Sequence, residues 1–298
     1  MNRKKTIIII GALLIVAVAI AVLAIGSGSR SRHFLWELSG PYGQKAYIMG
    51  SIHLAHAGLY PLDSAITEAF AASSKLVVEI NMEDMPIEEV NDYIQRYGYS
   101  TDSAPLLNRL APPTRGVLER SGIYSPQLDP MSPWLAALVI QLEAMQKNGF
   151  ESRFGLDTHF IGLAKRRQLD ILELETIDEQ MGLLVNMSEE EADLFLRAAI
   201  LEMDDLPKIM KNFLATWREG DVPGFSAVFF DEYDKYPELL PLMDKIIFQR
   251  NRLMADRIQR QLAGSTETHF IIVGAGHLVG DPSVLSLLAD QGYTLTQK

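Results

Sequence analysis

The chain has 298 residues, of which 48% are apolar and 22% charged, an ordinary globular mixture with ample material for a buried core. Those proportions exclude a disordered chain, a collagen-like repeat and a polytopic membrane protein. The net charge of −11 argues against nucleic acid as a partner of the folded part, and the absence of cysteine excludes disulfides, cysteine-ligated metals and thiol nucleophiles.

Arg3, Lys4 and Lys5 precede an uncharged apolar run from Ile7 to Ile25. As a helix rising about 1.5 Å per residue, that run matches the hydrocarbon thickness of a bilayer. The cationic flank stays on the cytoplasmic side, so the expectation is one N-terminal transmembrane helix, residues 6–26, with the bulk of the chain on the far side. A cleaved signal peptide with an A-x-A site at Ala19 and Ala21 is the competing reading, but the run exceeds a usual signal core of about 7–15 residues. With no cysteine there is no lipoprotein anchor. Residues 1–30 therefore read as an anchor or signal segment plus linker, and 31–298 as one working domain.

In that domain, Phe34–Leu38 and Ala46–Met49 flank Gly40-Pro41-Tyr42-Gly43 as a hairpin would. Asp63–Ala72 has helical spacing, and Leu76–Ile80 is a short apolar strand of the kind covered on both faces. A helical stretch, Pro86–Arg167, is punctuated by Pro112, Pro113, Pro130 and Pro133, and its end at Lys165-Arg166-Arg167 suits a helix C-terminus. Asp170–Glu175 reads as a second buried strand, Ser188–Glu191 as a capping box opening a helix, and Asp244–Leu262 as another helix. Phe270–Val273 is a third buried strand, followed by a helix from near Asp281 and a final edge strand at Tyr293–Leu295. Strands separated by helices indicate an α/β fold: a central, mostly parallel sheet with flanking helices and a large helical insertion.

Four polar side chains fall at or near the C-terminal ends of these strands: His53, Glu79, Glu175 and His277. Ligands of open α/β sheets bind beyond those ends. Two imidazoles with one or two carboxylates form a ligand set for a divalent metal that keeps a water position open, and a neighbouring carboxylate can act as general base. Glu79 is the most telling, because a charge inside an apolar strand needs a partner. Gly50-Ser-Ile-His53 and Gly274-Ala-Gly-His277 both read G-x-x-H after an apolar strand. There is no H-E-x-x-H, Walker A or G-x-S-x-G sequence, and His56 reads as a surface residue.

Phe34–Leu38, Tyr47–His53, Leu59–Leu62, Leu76–Ile80, Gly155-Leu-Asp157, Leu174–Thr176, Arg250-Asn251 and Val273–Gly280 together resemble the TraB/PrgY/GumN family, over about Phe34 to Leu295. The family is similar to the Tiki metalloproteases and related to the erythromycin-esterase/ChaN-like fold. The resemblance implies His53, Glu79 and His277 as metal ligands, with manganese or cobalt ahead of zinc. It brings Arg250 and Asn251 into the site as well, with Glu175 as the later strand-end acid. Where family members often carry an acid before the Arg-Asn pair, this chain has Gln249.

The expected function is that of a membrane-anchored, extracytoplasmic protein of a bacterial inner membrane, a divalent-metal-dependent hydrolase acting on peptides or small molecules. In the expected mechanism His53 and His277, with Glu79 as ligand or base, hold and activate a water. Arg250 steadies developing negative charge or serves in a salt bridge, Glu175 orients a histidine, and Asn251 orients a ligand or caps its neighbours. The alternatives are a binding module that sequesters metal, haem or a signalling peptide, and metal-free hydrolysis by His53 and Glu79.

Overall fold

A computed structural model describes residues 32–203 and 205–298. The anchor and linker expected at residues 1–30 lie outside this range. Among the described residues no helix is long and apolar enough to cross a membrane.

The chain begins with the expected hairpin, β1 (Leu35–Ser39) antiparallel to β2 (Lys45–Ser51), turned at Gly43 with φ 84°. Helix α1 (Ser64–Ala71), capped by the Asp63 carboxylate on Ala65 N, leads to β3 (Lys75–Val78). Helices α2 (Ile87–Tyr97), α3 (Pro112–Ser121), α4 (Pro133–Lys147) and α5 (Leu156–Arg167) follow, before β4 (Asp170–Glu173). Pro112 and Pro133 sit in the first turn of their helices, where the missing N–H costs nothing. Lys165, Arg166 and Arg167 complete the last turn of α5, opposite the C-terminal end of the helix dipole.

Then come α6 (Ile177–Val185), α7 (Glu189–Leu201), α8 (Leu206–Arg218) and α9 (Val222–Lys235), and next α10 (Gln249–Leu262), entered through a π turn at Asp244–Phe248. The capping box expected at Ser188 is present, with a second at Thr176 and Glu179. Strand β5 (His269–Gly274), helix α11 (Val284–Asp290) and strand β6 (Thr294–Gln297) end the chain. The helical material is thus split by β4 rather than inserted as one block.

The sheet order is β4-β3-β5-β2-β1-β6. Pairings β2–β5, β3–β5 and β3–β4 are parallel, while β1 runs antiparallel to both β2 and β6. The last long strand therefore slots between two early ones. β5 is buried along its whole length and β2 everywhere but its first residue, as strands covered on both faces should be. Strand β4, expected to be buried, is an edge strand with Asp170 and Glu173 exposed and Ile171 and Leu172 half-buried.

The two ends of the described chain meet: His33 N donates to Lys298 O, and Trp36 pairs with Gln297. The register of β1 on β2, Leu35 opposite Met49, brings this meeting point to the end of the sheet where β2 finishes.

Candidate functional site

Because β5 lies between β2 and β3, its C-terminal end is flanked on one side by the segment carrying His53 and on the other by the segment carrying Glu79. Ser51 pairs with Gly274, and Gly274 N donates to Glu79 Oε1 at 2.6 Å. His277 follows on a short 3-10 turn after β5. The four strand-end residues read from the sequence, with Arg250 and Asn251, are all buried, none more than 9% exposed.

Gly274 is the close approach around which the site is built. A Cβ there would lie 3.0 Å from His53 Nε2, 3.4 Å from Glu79 Oε1 and 3.5 Å from His277 Cδ2. Three chemically active groups thus converge on one backbone position that a side chain would crowd.

Each imidazole is tethered by its Nδ1 to an oxygen. His53 Nδ1 lies 2.5 Å from Asp157 Oδ2, an oxygen that also accepts from the Ser51 hydroxyl. His277 Nδ1 lies 2.6 Å from Asn251 Oδ1. The Asn251 amide is oriented by its other end, since Nδ2 donates to Pro282 O at 2.7 Å. Asn251 therefore presents an acceptor, His277 carries its proton on Nδ1, and its Nε2 is left with a lone pair. That Nε2 is 3.8 Å from Glu79 Oε1. His53 Nε2 is buried without a hydrogen-bond partner.

The backbone explains how Asp157 reaches His53 from so far along the chain. Leu156 N donates to Ile52 O, and a Cβ on Gly155 would meet His53 O at 2.3 Å, so only glycine lets the start of α5 lie against the His53 segment. Asp157 then sits in the first turn of α5, where backbone dipoles favour a carboxylate.

Arg250 binds two acids at once. Its Nε and Nη2 donate to Glu175 at 2.8 and 2.6 Å, Nη2 also donates to Glu79 Oε2 at 2.7 Å, and Nη1 donates to Ile246 O at 3.2 Å. Gln180 Nε2 donates to Glu175 Oε2 at 3.0 Å. With every guanidinium nitrogen engaged, Arg250 acts here as a clamp on two carboxylates. Glu175, expected to orient a histidine, lies on Arg250 and Gln180 instead, and the acid that orients His53 is Asp157. Gln249 points away, donating to Asp244 on the exposed face, so the family's missing acid leaves this cluster unchanged.

The electrostatics follow from burial and pairing. Burial alone pushes His53 down, but the charge and hydrogen bond of Asp157 outweigh it and raise its proton affinity above the usual histidine range. Burial likewise pushes Asp157 up, and His53 and Ser51 together hold it below the ordinary carboxylate range. Burial raises Glu79 in spite of Arg250. His277 is driven well below the histidine range by burial, with the charges of Arg250 and His53 adding to it. The two imidazoles are thus shifted in opposite directions, His53 toward higher and His277 toward lower proton affinity.

A divalent cation suits the kind of donors present: an orphaned His53 Nε2, a His277 Nε2 with a free lone pair and the Glu79 carboxylate. Two nitrogens and one oxygen are the number and type of protein ligands in catalytic divalent sites. The donors do not form a closed cage. Among the described residues no group of three or more His, Asp and Glu side chains is disposed to hold a metal ion as it stands.

His56, set aside as a surface residue, accepts from Gly58 N and caps a single 3-10 turn at Ala57–Leu59. Asp157 and Gln180 are the members of the site that sequence reasoning left out. For Asp157 the available signal was the Gly155-Leu-Asp157 motif at the start of a helix.

The residues that build this sheet and this buried cluster lie within a sequence match to the TraB/PrgY/gumN family. The chain belongs to that family, whose sequence pattern matches residues 34–297. It is similar to the uncharacterized protein YbaP of Shigella flexneri and to YbaP of Escherichia coli K12. Each is 21% identical over 263 residues, covering 87% of this chain and 94% of the relative. No solved structure matches the chain.

Proposed function

We propose that the protein is a divalent-metal-dependent hydrolase acting on peptides. The observation that carries this reading is the matched tethering of two buried imidazoles, each fixed through Nδ1 to an oxygen, with His53 Nε2 facing Gly274 and His277 Nε2 3.8 Å from Glu79 Oε1. Metal-ligating histidines almost always donate their other ring N–H to a carboxylate or amide oxygen, which sets tautomer and ring orientation.

In this reading His53 and His277 would hold the ion, and the Glu79 carboxylate would stand beside it as the base. A bound divalent cation supplies Lewis acidity toward a carbonyl and makes a water acidic near neutral pH. Glu79, its proton affinity raised by burial, takes a proton from the attacking water. The water oxygen bonds to the carbonyl carbon, the C–N bond breaks, and Glu79 returns the proton to the leaving amine. Asp157 and Asn251 keep the imidazoles in register. Arg250 holds Glu79 and offsets the charge it shares with Glu175, the salt-bridge alternative of the two roles read from the sequence.

The apolar run at Ile7–Ile25 with its cationic flank supports an N-terminal anchor and an extracytoplasmic working domain. Protease accessibility in spheroplasts tests it. Digestion of the domain from outside is expected, and full protection would overturn the placement.

The hydrolase reading is tested on the full chain in detergent, loaded in turn with manganese, cobalt and zinc. About one metal per chain in the wild type and none in a folded His277→Ala variant are expected. Peptide cleavage should be lost on chelation. A wild type that takes up none of the three metals overturns the reading.

The near-complete burial of the three donor side chains favours a second reading, a module that sequesters an ion or a peptide without turnover. Metal uptake with no cleavage across a broad peptide set is its signature.

A further inference from the structure

Beside the two imidazoles lies a cavity of about 80 Å³. One side of it is the site itself, with His53, Gly274 and His277; the other is apolar, formed by Met145 of α4, Met210 and Phe213 of α8, Phe225 and Phe229 of α9, and Ile247 of the π turn. No charged side chain belongs to this apolar wall. Phe225 is wedged between Phe34 and Phe213, with ring centroids 4.7 and 4.8 Å apart, so the wall is packed rather than yielding.

His53, whose Nε2 has no hydrogen-bond partner, lines this space together with His277, which joins the cavity to the candidate site. An apolar cavity of about 150 Å³ takes up benzene, so roughly half that volume suits a branched chain of about three or four carbons. Specificity sites of this type combine apolar walls with a few convergent polar groups.

We propose that this cavity is the subsite that receives an aliphatic side chain, of valine or leucine size, on the peptide residue next to the cleaved bond. The inference rests on the hydrolase reading and deepens it. Helices α8 and α9, which cover this end of the sheet, then set the substrate preference. The histidine pair carries the chemistry.

The test uses the full chain and a set of hexapeptides in an alanine frame, each position varied through glycine, alanine, valine, leucine, phenylalanine and aspartate. Two quantities are measured: kcat/KM for the manganese-loaded protein, and the Kd of the same peptides for the chelated protein by calorimetry. A missing methylene in an apolar pocket costs about 10–200-fold in discrimination. Valine or leucine at one position should therefore exceed alanine by at least about tenfold in both, and aspartate by more. Met210→Trp and the milder Met145→Phe, which fill the cavity, should remove the leucine preference, bringing leucine peptides to within about threefold of alanine peptides in both quantities.

The outcomes separate the two ideas. Leucine-selective binding without cleavage supports the subsite and overturns the hydrolase. Cleavage with leucine, alanine and aspartate within about threefold of one another overturns the subsite and keeps the hydrolase. Neither binding preference nor cleavage overturns both.

Discussion

Asp157 Oδ2 and His53 Nδ1 lie 2.5 Å apart across 104 residues of chain, both buried, and this contact fixes which face of the His53 ring looks into the site. Replacing Asp157 by Asn keeps the volume and removes the charge that raises His53. In Asp157→Asn the His53 ring should titrate at lower pH than in wild type by NMR of the metal-free protein. Metal affinity should fall about 10–100-fold by calorimetry, the usual effect of losing such an outer partner. An unchanged affinity would show that Asp157 serves the fold alone.

Arg250→Met leaves Glu79 and Glu175 buried without their shared cation. Removing one partner of a buried ion pair typically costs about 3–5 kcal/mol. Urea unfolding of this variant should show a loss of that order. Arg250→Lys should recover little of it, because a single ammonium cannot reproduce the guanidinium fork across two carboxylates.

Gly274→Ala separates site from scaffold. The glycine has φ −51°, which alanine tolerates, so the backbone is not strained by the change. The new methyl stands 3.0 Å from His53 Nε2, in the space the three donors share. The variant should keep its unfolding midpoint near that of wild type and lose metal uptake. Equal loss of both would point to a packing role for Gly274.

A pH effect away from the site comes from Arg257, which donates to Glu179 Oε1 and Oε2 and also to the Leu174 carbonyl just before Glu175. Its hydrogen bonds hold the Glu179 carboxyl down to about 2, against an ordinary 4.5. A lowered carboxylate contributes stability that is present above its unfolded pKa and lost as pH falls through the folded one. Glu179 is 36% exposed, so solvent screening reduces the contribution to about 1 kcal/mol. Stability should therefore fall between about pH 4.5 and 2, and Glu179→Gln should flatten that part of the profile.

Much of this was legible in the sequence for a simple reason. Short apolar runs such as Leu76–Val78 and Phe270–Val273 mark strands covered on both faces, and a polar residue ending such a run has few places to go except a site at the strand's end. His53, Glu79 and His277 were found in that way, and they do converge. Asp157 was not, because an acid in the first turn of a helix is explained locally by the dipole and gives no hint of a partner 104 residues back. The orienting role expected of Glu175 falls to Asp157 for the same reason: which acid reaches which base depends on strand order, and β5 slipping between β2 and β3 is invisible to local pattern. The burial expected for β4 failed likewise, since an apolar run does not reveal whether a strand ends up at an edge.

His33 and Lys298 are joined backbone to backbone at the end of the sheet where β2 stops and the site begins. The chain therefore enters the described domain at His33, and reaches Lys298, on the side of the candidate site rather than behind it. If the proposed anchor tethers the domain at His33, the candidate site is held toward the membrane, and under the proposed function flexible segments would reach it more readily than large folded partners. An affinity tag placed after Lys298 would start from that same end of the sheet, on the side of the candidate site.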